Sequence, residues 1–305
     1  MSKTDTPRHD PIPIGEIVEP PFVRLPDPTN LFAARARRCL ALAEGSELGE
    51  ILRFFAALAV CQHRLQADLP APDMPSGDAL ARARAHAMPP LDRNRMPIGG
   101  ALEATLARLL AAATDIDMPP AARAALDRVA DADAAGRAVM VRAVLAQAIP
   151  AEAFAEHVYV AAALQVHLAR QAARLEAATL VPVGDGVCPV CGGAPVASVI
   201  AGWRGAQNAR FCVCSLCASW WHMVRIKCVL CGSTKGIAYQ ELAGDAGVVK
   251  AETCESCHGY VKILHQQTDP ALDPVADDVA TLGLDLLLRE NGYRRGGVNM
   301  FLLGY

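Results

Sequence analysis

The sequence predicts an α+β protein: a mainly α-helical N-terminal domain, two tandem four-cysteine units and a C-terminal helical segment. Three observations support this. Apolar residues recur at helical spacing over residues 31–178, the composition changes abruptly at Val181, and nine of the eleven cysteines lie between Cys188 and Cys257. Hydrophobic residues are 52% of the 305 and charged residues 20%, enough for a packed core and contrary to global disorder. Aromatics are only 5%, and alanine dominates the apolar residues before position 180. Such a composition favours closely approaching helices.

Residues 1–30 read as an extended arm, because Pro7, Pro11, Pro13, Pro20, Pro21, Pro26 and Pro28 deny it a helix. Residues 31–180 form the helical domain. Asn30 caps a helix over 31–43, which Gly45 ends, and Ser46 caps the next through Leu48, Ile51, Leu52, Phe55 and Leu58. A proline-rich stretch over 69–100 holds a short helix at 78–88. Helical periodicity returns at Leu102, Leu106, Leu109 and Leu110, resumes after Pro119 and Pro120, and appears again over 134–148. Over 152–178, Phe154, Val158, Ala161, Leu164, Leu168 and Leu175 mark one stripe of a long helix.

Residues 1–16 are polar and lack the apolar stretch of a signal peptide. The most apolar long segment, 151–174, is interrupted by Glu156, His157, Gln165, His167 and Arg170, so no membrane span is expected. A cytoplasmic, reducing location follows, where clustered cysteines point to metal sites rather than disulfides. The net charge of −3 gives no electrostatic case for nucleic acid as a partner.

Four C-x-x-C pairs occur: Cys188/Cys191, Cys214/Cys217, Cys228/Cys231 and Cys254/Cys257. A shift of 40 residues lays the first two pairs on the last two, with Gly192 on Gly232 and Arg210 on Lys250. This is an internal duplication. Segments 195–200, 220–226, 248–252 and 260–264 read as short strands. A hairpin of about 20 residues buries too little apolar surface to offset its chain entropy. Metal binding supplies the difference, about 10–16 kcal/mol in zinc-binding peptides. Cys188, Cys191, Cys214 and Cys217 are therefore assigned to one site in a ribbon over 181–225. Cys228, Cys231, Cys254 and Cys257 form the other, in a ribbon over 226–268. Two alternatives stand beside this pairing: a cross-brace, in which the first pair shares a metal with the third, and redox-active disulfides.

Thiolate-only tetrahedral sites suit zinc, as in zinc ribbons, or a rubredoxin-like single iron. Four protein ligands leave no position for substrate, so Lewis-acid catalysis is not expected. No nucleophile–base pair or phosphate loop stands out. Cys39, Cys61 and Cys212 read as packing thiols, His222 and His258 as ordinary surface or packing residues. Trp220 and Trp221, adjacent on a strand, point to opposite faces, one covering the metal site and the other available to a partner. In the last segment, 269–305, Asp273 caps a helix, Pro274 takes its first position and Gly292 ends it, with Val275, Val279, Leu282 and Leu286 as its stripe. Asp277 and Asp278 favour the positive end of that helix.

Several motifs then combine. They are Cys188-Pro-Val-Cys-Gly-Gly-Ala-Pro-Val-Ala-Ser-Val-Ile, Ala251-Glu252-Thr253-Cys254, Tyr260-Val261-Lys262-Ile263, Asp269-Pro270, Ala276-Asp277-Asp278 and Gly292-Tyr293-Arg294. With Leu25-Pro26-Asp27-Pro28, Phe32, Arg35-Ala36, Arg38, Leu48-Gly49 and Leu52-Arg53-Phe54, they resemble the formate dehydrogenase accessory protein family (FdhE) over nearly the whole chain. The resemblance implies a cytoplasmic maturation factor rather than an enzyme. It implies two metal ions, iron ahead of zinc, held by the eight C-x-x-C cysteines. The implied partner is the catalytic subunit of respiratory, molybdenum-containing formate dehydrogenase; a homodimer stays open. Val213 replaces a common histidine, Trp220 a common acid, and Cys39 and Cys212 a common leucine.

Overall fold

Asp27, not Asn30, starts the first helix: its carboxylate accepts the Thr29 N–H at 3.1 Å, and Pro28 occupies the first turn. The computed structural model describes residues 19–242 and 247–302, so Pro7, Pro11 and Pro13 of the arm lie outside the described residues. Part of the remaining arm is a strand, β1 (Val23–Arg24). The helical region contains α1 (Pro28–Ala43), α2 (Gly49–Arg64), α3 (Gly77–Ala85), α4 (Gly100–Ala113), α5 (Pro120–Asp131), α6 (Ala134–Ala146) and α7 (Phe154–Ala172).

Helix α7 is buried almost all round rather than along one stripe, because α4, α5 and α6 pack about it. Several of its polar residues are bonded inside the bundle. His157 Nδ1 lies 2.6 Å from the Ala153 carbonyl, and Gln171 donates to the Asp73 carbonyl at 2.6 Å. Gln165 accepts from Arg35 and from Gln62, both at 3.2 Å. Among the described residues, no single helix is long and apolar enough to cross a membrane. One bent pair, Ala134–Ala146 with Ala151–Ala172, meets the criteria of length and composition together, but at a 116° bend.

The cysteine-rich region folds as β2 (Pro195–Ile200), β3 (Arg210–Cys214), β4 (Trp220–Met223), β5 (Ile237–Gln240), β6 (Val249–Cys254) and β7 (Gly259–His265). Each ribbon is an antiparallel meander of three strands, and the 40-residue shift lays β2, β3 and β4 on β5, β6 and β7. The ribbons are not self-contained. Strand β2 pairs with β7 in parallel, Ser198 opposite Ile263 and Ile200 opposite His265, giving one sheet in the order β1-β4-β3-β2-β7-β6-β5. The arm closes the β4 edge, with Val23 opposite Trp221 and Arg24 opposite Trp220. The principal core runs without a break from Leu109 and Val160 of the bundle to Val190, Cys212 and Trp221 of the first ribbon.

The C-terminal segment is two short helices, α8 (Ala276–Ala280) and α9 (Leu282–Glu290), rather than one. Thr281 lies between them, its hydroxyl donating to the Asp277 carbonyl at 2.7 Å. The break shifts the apolar face, so that Leu284 and Leu288 are buried while Leu286 is exposed. Asp273 does cap the segment, accepting from the Val275 and Ala276 N–H groups. Residues Arg294–Arg295 form β8, which pairs with β7.

The paired aspartates are tied more tightly than a helix-dipole role requires. Asp277 receives Arg38 of α1 at 2.6 Å, and Asp273 receives Arg35 at 3.1 Å. Asp278 and Asp285 are fully buried and share Lys262 of β7 and Arg295 of β8 at 2.6–3.2 Å. Opposite charges at these distances attract strongly once water is excluded. The last segment is thereby clamped to both the bundle and the second ribbon.

Candidate metal centres

Each quartet is assembled from two tight knuckles. In the first, the Cys188 N–H donates to the Gly193 carbonyl at 2.9 Å and the Gly192 N–H to the Cys188 carbonyl at 2.9 Å. In the second ribbon, Cys228 bonds Ser233 at 2.8 Å and Gly232 bonds Cys228 at 3.0 Å in the same pattern. The turn requires a left-handed residue after the second cysteine, and Gly192 and Gly232 supply it at φ +77° and +74°. The closing knuckles use Ala218 and His258 there, at φ +56° and +50°. Their residue types give no such signal; only their place after Cys217 and Cys257 does. Backbone N–H groups reach sulfur as well, Leu216 to Cys214 and Leu230 to Cys228, both at 3.4 Å.

The structure gathers Cys188, Cys191, Cys214 and Cys217 in one cluster. Cys228, Cys231, Cys254 and Cys257 gather in another, with all ligand atoms of a cluster within 4.8 Å of one another. This is tandem pairing, not a cross-brace. Sulfur–sulfur distances are 3.6 Å for Cys188–Cys217 and 3.4 Å for Cys191–Cys214, against 3.9 Å for Cys228–Cys257 and 3.8 Å for Cys231–Cys254. A tetrahedral ion with metal–sulfur bonds of about 2.3 Å separates its sulfurs by about 3.8 Å. The quartets fit such an ion and are too wide for disulfides, whose sulfurs lie about 2.05 Å apart. None of the cysteines is paired in a disulfide among the described residues.

The electrostatics of the first quartet suit a bound cation. Burial pushes the Cys188 thiol well above its ordinary value. Burial opposes ionisation of Cys214 too, but hydrogen bonds from Cys188, Cys191 and Cys217 outweigh it and hold that thiol well below its ordinary value. Four thiolates in one dry space repel, and a divalent ion is what lets all four ionise together. The eight cysteines would hold two ions in this way, each four-thiolate site with a divalent ion carrying a net charge near −2.

The other candidates fall outside the quartets. Cys212 is fully buried, 3.6 Å from the Ser198 hydroxyl, and burial pushes its thiol up to about 11. Cys39 is buried in α1, and burial pushes it up to about 12; Cys61 is half-buried with its thiol 3.4 Å from the Ala112 carbonyl. His222 is half-buried beside Phe211, with ring centroids 5.7 Å apart, and His258 lies exposed near Tyr293. Trp221 is buried in the principal core, opposite Val23 of the arm and Cys212 of β3. Trp220 is half-buried and, with Trp203, carries the Arg24 guanidinium at 5.4 and 4.7 Å from the two ring centroids. It is covered by the chain's own arm rather than left free for a partner.

Comparisons with known proteins agree with this architecture. Three family profiles match: the FdhE N-terminal domain over residues 20–185, the FdhE central domain over 187–225 and the FdhE C-terminal domain over 226–302. An FdhE homolog of Rhizobium meliloti is 46% identical over 298 residues, covering 97% of each chain. Protein FdhE of Escherichia coli (strain K12 / DH10B) is 33% identical over 285 residues, 93% of this chain and 91% of its own. The crystal structure of the FdhE protein from Pseudomonas aeruginosa superposes with a TM-score of 0.83 at 37% identity. It covers 93% of this chain and 99% of its own. Profiles, relatives and fold coincide along nearly the full described length, and the chain belongs to the FdhE family.

Proposed function

We propose that this protein is a cytoplasmic accessory factor, not an enzyme, that binds the catalytic subunit of respiratory, molybdenum-containing formate dehydrogenase and is required for active enzyme to form. The observation that carries the reading is the pair of four-cysteine clusters set on one sheet in a chain of this family. Such clusters bind metals whose positions are closed by protein ligands, which suits a folding and docking role.

The two ions are iron, with zinc the alternative. When bound, the ion cross-links each ribbon, and iron adds a one-charge difference between its ferrous and ferric forms. The chain's own residues do the positioning. Leu91 and Arg93 donate N–H groups to Val190 and Cys191 of the first knuckle at 2.9 and 3.1 Å, and Gln165 donates to the Ser215 carbonyl at 3.0 Å. These bonds fix the first ribbon against the bundle, and the second is joined to the first through the β2–β7 pairing, so both face a client on one sheet.

The test is anaerobic purification of the tagged full chain with metal analysis, light scattering for a homodimer, and identification of copurifying subunits. A deletion strain is assayed for formate dehydrogenase activity. Two ions per chain, a copurified catalytic subunit and activity lost on deletion are expected. Full enzyme activity in the deletion strain sinks the reading.

A further inference from the structure

We propose that the two centres have different uses: the first is a closed structural clamp, and the second is an exchangeable centre that passes its ion to a thiol-bearing partner through Cys231. The proposal rests on the reading of both quartets as metal sites.

The quartets are duplicates in sequence but not in surroundings. Cys188, Cys191, Cys214 and Cys217 are between 0% and 2% exposed. In the second quartet Cys228 and Cys254 are buried, but Cys257 is half-buried and Cys231 is exposed. The difference comes from what packs on each. The first knuckle is held by the backbone of Leu91 and Arg93, and a side chain at Gly192 would approach Pro89 to 3.3 Å. The next knuckle is held by Gln165 from the central helix and by the Ser215 hydroxyl, which donates to the Ala194 carbonyl at 3.1 Å. Opening the first centre therefore means separating the ribbon from the bundle.

Around the second centre the corresponding bonds lie at the surface. The Ser233 and Ser256 hydroxyls meet at 3.0 Å, and both residues sit on the exposed side of the ribbon with the Lys235 carbonyl. The tail adds a thin cover, exposed Arg294 reaching the carbonyl of half-buried Cys257 at 3.4 Å and half-buried Tyr293 bonding exposed Glu255. An incoming group can thus reach the ion beside Cys231 while Cys228 and Cys254 still hold it. The exchange is a substitution without redox change. A neutral thiol forms a metal–sulfur bond, the metal–Cys231 bond breaks, and the thiol's proton passes to the departing Cys231 sulfur.

The full chain loaded anaerobically with zinc, a redox-silent probe, tests this. Release to a chromogenic chelator is followed in time, alongside limited alkylation with N-ethylmaleimide and peptide mass spectrometry. One equivalent is expected to leave about tenfold faster than the other. Cys231 and Cys257 should be alkylated first, and Cys231→Ser should abolish the fast phase and keep the slow one. Release of both equivalents in one phase, or early alkylation of the first quartet, overturns the proposal. The wild-type data decide this even where the variant fails to fold. Fewer than two bound equivalents would instead overturn the metal reading beneath it. The client-binding assay is a separate measurement.

Discussion

The Arg210 guanidinium of the first ribbon lies 2.8 Å from the Glu252 carboxylate of the second, and both side chains are buried. Their strands, β3 and β6, are separated in the sheet by β2 and β7. Arg210 also donates to the Ser198 hydroxyl at 3.0 Å and to the Lys227 carbonyl at 3.0 Å, so one side chain ties both ribbons and the link between them. Burial pushes the Glu252 carboxyl up while Arg210 pulls it down. Removing Arg210 leaves a carboxylate in a dry site, which costs about 3–5 kcal/mol, whereas replacing both partners by apolar residues is near neutral. Arg210→Met should therefore lower the denaturation midpoint of the metal-loaded chain sharply, and Arg210→Met with Glu252→Leu should recover most of it. Equal losses in the single and double variants would show that the pair is not coupled.

Cys212 tests the membership of the first quartet. It forms a C-x-C-x-x-C run with Cys214 and Cys217 but points into the core beside Ser198. Cys212→Ala should keep both metal equivalents and cost about 1 kcal/mol from the lost sulfur contacts. Metal analysis and thermal melting of the variant check this, and loss of one equivalent would make Cys212 a ligand.

His167 gives the protein an acid-sensitive limb. Burial in the bundle lowers its pKa from 6.5 to about 4. Between those values the unfolded chain binds a proton that the folded chain does not, so stability rises with pH across the window. The contribution is present above pH 6.5 and is lost as pH falls toward 4, up to about 3 kcal/mol in all. His167→Gln should flatten the acid limb over that window relative to the parent protein. Parallel pH–stability curves for the two would remove His167 as the cause.

What the sequence disclosed depended on whether the signal was local. The knuckles were legible because C-x-x-C-Gly specifies a turn and a donor set within five residues, and the 40-residue repeat paired them. The strand at 195–200 and the helix entered at Pro119 and Pro120 followed from equally local patterns. Ser46, in contrast, does not cap α2: that helix starts at Gly49 after Leu48, and the Ser46 hydroxyl accepts the Leu48 N–H at 3.1 Å in the preceding turn. The parallel pairing of Ser198 with Ile263 left no local trace, since residues 65 apart meet only because the ribbons join edge to edge. Strands β3 and β5 were missed for related reasons. Strand β3 is buried on both faces and does not alternate, and β5 is a four-residue edge strand. Asp278 and Asp285 looked like ordinary helix residues because Lys262 and Arg295, which neutralise them, come from the second ribbon and the tail. The unequal burial of the quartets was equally hidden, because it is the bundle that covers the first.

Gly296 connects the tail to the second centre and offers a way to loosen that centre alone. A Cβ there would lie 2.3 Å from the Leu230 Cδ1 and Cδ2 atoms and 2.8 Å from its Cγ, so Leu230 has to move. Leu230 sits inside the Cys228–Cys231 knuckle, and its N–H donates to the Cys228 sulfur at 3.4 Å. Overpacking of this kind costs about 1–3 kcal/mol, and here the strain falls on a knuckle rather than on the bundle. Gly296→Ala should therefore speed zinc release from the second centre and leave the slow phase of the first unchanged. Gly283→Ala, where a Cβ meets nothing within 4 Å, is the control and should alter neither phase. If Gly296→Ala releases both ions faster by the same factor, the two centres open together and the tail does not act on one of them alone.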